Sequence, residues 1–124
     1  MTEPLAIVCY QALMPGTQLV NRLQDLGYRV LSHGNTDTLA AQAKDSKPLL
    51  IIVDLAGSGD IAAALTQLKQ APETQHIPVL AFAAETLVER RAAAHAAGAT
   101  LVASDTAVGA HLPQLLEQLW ELES

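Results

Sequence analysis

Asp54 is the residue of this chain best placed for chemistry. It ends the apolar run Leu49-Leu50-Ile51-Ile52-Val53 and precedes the turn-rich stretch Ala56-Gly57-Ser58-Gly59-Asp60. In open parallel sheets the ligand crevice lies outside the carboxyl ends of the strands, so an acid ending a strand buried on both faces points into it. Such a carboxylate can accept backbone amides from the following turn, which Gly57 and Gly59 would permit. It can also share a proton or a cation with a second acid, and Asp105 is the candidate for the same sheet edge. Asp105 has a plainer reading as a helix cap or an exposed loop acid.

The other reactive side chains offer less. Cys9 is the single cysteine and lies in the apolar segment Leu5-Ala6-Ile7-Val8-Cys9, so it reads as a small buried hydrophobe and excludes an internal disulfide or thiolate cluster. His33, His76, His95 and His111 lack the spacing of a metal site and read as surface or loop residues. No nucleophile elbow, phosphate-binding loop or dinucleotide turn occurs, since Gly57-Ser58-Gly59 has no third glycine at the required offset. No base faces a placed nucleophile, so the reading is of a protein that is not an enzyme and carries no metal or cofactor.

The elements that must position Asp54 follow from periodicity. Short β-rich runs alternate with helical segments, the pattern of βαβ units around a parallel sheet. The first strand spans Leu5 to Tyr10, and the first helix follows Pro15 with Leu19, Leu23 and Leu26 on one stripe and Gly27 as its stop. Tyr28 to His33 forms the second strand, and the second helix runs from near Thr36 until Lys47-Pro48. Leu49 to Asp54 is the third strand, and Ile61, Leu65 and Leu68 mark the third helix with Ser58 or Asp60 as cap. Pro78 opens the fourth strand through Phe82, and Thr86-Leu87-Val88-Glu89 has the spacing of a capping box for a fourth helix ending at Gly98. Thr100 to Ala103 is a short edge strand. The last helix carries Leu112, Leu115, Leu116, Leu119 and Trp120 and should begin near Ala110, because Pro113 is tolerated only in a first turn.

The whole chain, residues 1–124, reads as one domain with enough apolar residues to bury its own core. Acids outnumber Lys and Arg by 13 to 7, no basic run occurs, and the aromatics are only Tyr10, Tyr28, Phe82 and Trp120. Nucleic acid is therefore not an expected partner. No apolar stretch reaches the roughly 20 residues of a membrane span, and Met1-Thr2-Glu3-Pro4 lacks a signal peptide's basic start, so a cytoplasmic location away from membranes is expected.

Five βα units with an acid ending the third strand resemble the receiver domain of two-component response regulators. Leu26-Gly27-Tyr28-Arg29-Val30 looks like that family's helix-to-strand junction, Ala71 through Val79 like its loop into the fourth strand, and Ala96-Ala97-Gly98-Ala99 like the turn before its fifth. The resemblance implies an α/β, flavodoxin-like (βα)5 three-layer sandwich with a parallel five-stranded sheet in the order 2-1-3-4-5. It also implies that Asp54 occupies the phosphoacceptor position. The acidic pair that holds magnesium falls at Tyr10 and Gln11, the sensing hydroxyl at Ala83, the fifth-strand lysine at Asp105, and the aromatic switch at Val102. Phosphoryl transfer depends on positioning and on neutralising charge at the transferred oxygens, so these departures predict a weak magnesium site and inefficient phosphorylation. Tyr10 is a candidate to fill the vacated pocket and donate its hydroxyl to Asp54.

The resulting expectation is a degenerate receiver, a stand-alone signalling module that works by protein–protein contact, with a histidine kinase or an effector domain as the partner class. Its interaction face would comprise the fourth helix, fifth strand and fifth helix, carrying Arg90, Arg91, His95, Val102 and Trp120, and is also where a homodimer would form. Two alternatives stand beside it: a response regulator phosphorylated on Asp54, and a flavodoxin-like domain that binds a small ligand.

Overall fold

The computed structural model describes residues 4–10, 13–34, 36–56 and 60–123, with backbone alone described at 13–17, 36 and 123. Five parallel strands, β1 (Leu5–Cys9), β2 (Arg29–His33), β3 (Leu50–Asp54), β4 (Val79–Ala83) and β5 (Leu101–Ser104), alternate with helices α1 (Leu13–Asp25), α2 (Leu39–Ser46), α3 (Ile61–Gln70), α4 (Val88–Ala96) and α5 (Asp105–Glu123). The sheet order is β2-β1-β3-β4-β5. Strand ends fall within a residue of those predicted. Every residue of β3 and β4 is buried, whereas β2 and β5 are only partly covered, as their edge positions require.

Alternation along the strands sorts the core into two layers. Ile7, Cys9, Ile51, Val53, Val79 and Ala81 face α2, α3 and α4. Ala6, Val8, Leu50, Ile52, Leu80 and Phe82 face α1 and α5. Burial of a side chain such as Leu23 or Leu112 contributes about 1.5–3 kcal/mol, and both are fully covered. The α3–β4 loop is tied down from within: buried Thr74 donates its hydroxyl to the Leu68 carbonyl at 2.6 Å, and Lys69 Nζ donates to Ile77 O at 3.0 Å. The Lys69 stem also explains Gly98, whose φ is +112° and whose Cβ, were one present, would lie 2.7 Å from Lys69 Cγ.

Four helix starts depart from the sequence reading or refine it. Helix α1 begins at Leu13, ahead of Pro15, which sits in the first turn, where its missing N–H costs nothing. A 3₁₀ turn, Thr36–Thr38, precedes α2, which ends at Lys47 in the left-handed conformation. Asp60 caps α3 by accepting Ala63 N–H at 3.0 Å, while Ser58 lies outside the described residues. The capping box at Thr86–Glu89 does not form: Leu87 occupies the cap position of α4 without a side-chain bond. Its side chain packs against the core instead, so burial sets the helix start.

Helical structure in α5 begins at Asp105, five residues before the predicted Ala110. The helix is broken at His111 (φ −132°, ψ 33°), two residues before Pro113. Proline has no N–H for the Gly109 carbonyl and its ring crowds that oxygen, so the chain makes one short helical segment, kinks and restarts. Ser104 initiates the first segment by accepting Ala107 N–H at 3.0 Å.

Candidate functional site

Asp54 closes β3 in register with Phe82 of β4 and is 6% exposed. Its Oδ1 accepts the Ala56 N–H at 2.9 Å, and the intervening Leu55 donates its N–H to Phe82 O at 2.9 Å while burying its side chain. The turn after the acid is thus held from both sides, and the amide-accepting reading of Asp54 is met at Ala56. Gly57 and Gly59 lie outside the described residues.

Cys9 pairs with Val53, one residue before Asp54. Burial, and secondarily the negative charge of Asp54, push its thiol up to about 11, so it is a protonated, unreactive core residue at neutral pH.

The positions around Asp54 do not converge on it. Tyr10 continues the β1–β2 ladder by donating its N–H to His33 O at 3.0 Å, which carries the residue toward β2. Its hydroxyl accordingly reaches Ser32 Oγ at 3.4 Å, so the predicted donation to Asp54 is not made. Gln11 lies outside the described residues. Ala83 ends β4 with its methyl buried in the α2–α4 layer, beside Ser104 in register.

Asp105 is exposed in the first turn of α5, where its Oδ1 accepts Thr106 N–H at 2.8 Å. It borders a hollow against α1 with Gln18, Leu19 and Arg22. Among the described residues no hydrogen bond joins Asp105 to Asp54, and no group of three or more His, Cys, Asp or Glu is placed to hold a metal ion. The shared-proton arrangement is therefore not made: Asp105 is an exposed acid in the first turn of α5, its carboxylate taken up by the adjacent Thr106 amide, while Ser104 is the residue that caps the helix.

The predicted interaction face also divides. Arg90 is exposed, yet its Nη1 crosses to the Leu55 carbonyl at 2.8 Å. Arg91 is half-buried with its Nε enclosed and unbonded, and His95 is exposed in the last turn of α4. Val102 packs into the α2–α4 layer. Trp120 packs into the opposite layer and hydrogen-bonds Tyr28, whose hydroxyl titrates higher than usual because burial outweighs that bond. Trp120 is thus an intramolecular partner of Tyr28, drawn toward α1, rather than an anchor continuous with Arg90 and His95. Sequence reasoning missed Ser104 and the inward reach of Arg90. Ser104 has a readable signal, a hydroxyl three residues before the amide it caps, whereas the Arg90 contact spans 35 positions and has none.

No protein-family model and no curated protein matches the sequence. Solved structures do match. The receiver domain of the sensor histidine kinase PA1611 from Pseudomonas aeruginosa, described with magnesium coordinated in its active-site cleft, superposes with a TM-score of 0.86 at 18% identity over 99% of this chain and 100% of that one. The receiver domain of NtrX from Brucella abortus gives 0.79 at 19% identity over 94% and 98%. The chemotaxis response regulator CheY4 of Vibrio cholerae gives 0.78 at 20% identity over 98% and 99%. The chain therefore has the response-regulator receiver fold, a flavodoxin-like sandwich, as the local phrases around Asp54 implied. No helix among the described residues is long and apolar enough to cross a membrane.

Proposed function

We propose that this chain is a receiver-like signalling module that acts by protein–protein contact and is not efficiently phosphorylated through magnesium. The observation that carries the reading is the donor set around Asp54. One carboxylate oxygen is engaged by Ala56 N–H, the Tyr10 hydroxyl is directed to Ser32, and the Ala83 methyl and the exposed Asp105 stand where the resemblance expects a hydroxyl and a lysine. Magnesium favours octahedral oxygen coordination built on one or two carboxylates, and this set supplies a single buried one, so the residues present fit the ion poorly. Asp105 stands at the position where the resemblance expects a lysine, so a phosphoryl group at Asp54 would lack the cation that neutralises its added negative charge there. Among the described residues the site has no nucleophile–base pair, which supports a binding role over an enzymatic one. The partner class is a histidine kinase or an effector domain, reached through α4 and the β5 edge in a cytoplasmic setting.

The test is an amide NMR titration with magnesium and then beryllofluoride, an acyl-phosphate mimic, on the native protein and Asp54→Asn. An unchanged spectrum is the expected result. Saturable shifts at Asp54 that spread to α4 and β5, and vanish in the variant, would restore the phosphorylation switch.

A further inference from the structure

We propose that Arg90 is a latch that fixes α4 to the backbone following Asp54, so that the outer face of α4 is held by the site without a hydroxyl or aromatic relay. The inference deepens the proposed function and rests on its reading of α4 as the output face. Three observations carry it.

The first is the bond itself: Arg90 Nη1 donates to the Leu55 carbonyl at 2.8 Å, a charge-assisted contact between α4 and the residue after Asp54. The second is the rigidity of its anchor. Leu55 is 2% exposed, its N–H is spent on Phe82 O, and the next N–H, that of Ala56, is held by Asp54 Oδ1. Any change at the Asp54 carboxylate therefore acts on the peptide unit whose carbonyl Arg90 holds. The third is how little else secures α4. Ala94 is its one buried residue, its first turn lacks a side-chain cap, and a cleft of about 210 Å³ bordered by Leu55, Asp60, Ile61, Ala62, Arg90 and Ala93 opens between its first turns and the start of α3. A helix with small residues over a cleft can shift without forcing core side chains out of place, so a charge-assisted bond at its first turn has leverage on its position. The positions at which the resemblance expects a hydroxyl and an aromatic relay are Ala83 and Val102, which offer apolar contact alone.

The test is amide hydrogen exchange and chemical-shift mapping on the native protein, Arg90→Ala, Asp54→Ala and the double variant, with no magnesium or phosphate mimic present. Arg90→Ala places a strong helix former at an exposed site and should leave the fold intact. It is expected to speed exchange of the Arg91, Ala93 and Ala94 amides about tenfold, the scale of one charged hydrogen bond, and to move the Ala56 resonance. Asp54→Ala should perturb α4 in the native background and stop at Ala56 when Arg90 is absent. Unchanged α4 exchange in Arg90→Ala, or Asp54→Ala shifts that reach α4 undiminished in the double variant, would overturn the latch. Because no phosphoryl mimic is used, a beryllofluoride response would refute the phosphorylation-independent reading while leaving this result interpretable by itself.

Discussion

Asp54 closes β3 and Asp105 follows β5, on either side of β4 at one sheet edge, and they have opposite fates. Asp54 follows a central strand whose every residue is buried, lies beside Phe82, and has its turn tied to β4 through Leu55. Asp105 follows a half-covered edge strand, faces solvent, and spends its carboxylate on the adjacent amide. The same side chain becomes a buried, constrained group in one place and an exposed, locally bonded one in the other, and the difference lies in how many neighbours a central strand has compared with an edge strand. The central acid is therefore the one through which a change can travel to other elements.

That contrast can be broken by substitution. Truncating the wall of Asp54 with Phe82→Ala should have the largest effect, about 3–5 kcal/mol in urea denaturation, since the ring is 1% exposed and leaves a cavity beside the acid. Asp54→Ala should cost about 1 kcal/mol for the lost Ala56 contact, read in the same denaturation experiment.

A subtler effect is expected from Cys9. The folded thiol keeps its proton up to about pH 11 against an ordinary value of 9.0. In that interval the folded state binds more protons than the unfolded one, so stability is level below the lower value and falls as pH rises toward the upper. Denaturation midpoints taken across this range should decline in the native protein and decline less steeply in Cys9→Ala, where the raised Tyr28 hydroxyl still contributes at the upper end. In Asp54→Asn the thiol should titrate lower than in the native protein yet still above its ordinary value, because burial is the larger cause. The smallest effect belongs to Asp105→Ala, within about 0.5 kcal/mol as for other exposed positions. A cost equal to that of Asp54→Ala would erase the distinction between the two strand ends.

Much of the architecture was legible in the chain. Uninterrupted apolar runs such as Leu49 to Val53 mark strands buried on both faces, Gly27 and Gly98 mark helix ends where positive φ is required, the βα alternation marks a parallel sheet, and the resemblance to receiver domains implies the observed strand order. The site was legible as a position, Asp54 at a strand end, but its surroundings were not. The resemblance puts Tyr10 at the vacated acidic-pair position beside the acid, whereas the β1–β2 ladder carries its hydroxyl toward Ser32. Leu87 displaced the capping box because a leucine half-buried against the core outweighs one hydrogen bond to a surface threonine.

By itself the sequence determined which segments are strands and helices, that the strands run parallel, and the placing of a single acid at the mouth of the sheet, because these follow from periodicity and turn chemistry over short stretches of chain. Only the tertiary structure decided that Trp120 belongs to Tyr28, that Asp105 serves its own helix, and that Arg90 holds the backbone beyond Asp54. Those outcomes depend on which donor meets which acceptor, across 35 positions in the case of Arg90, a competition settled by packing and burial rather than by local pattern.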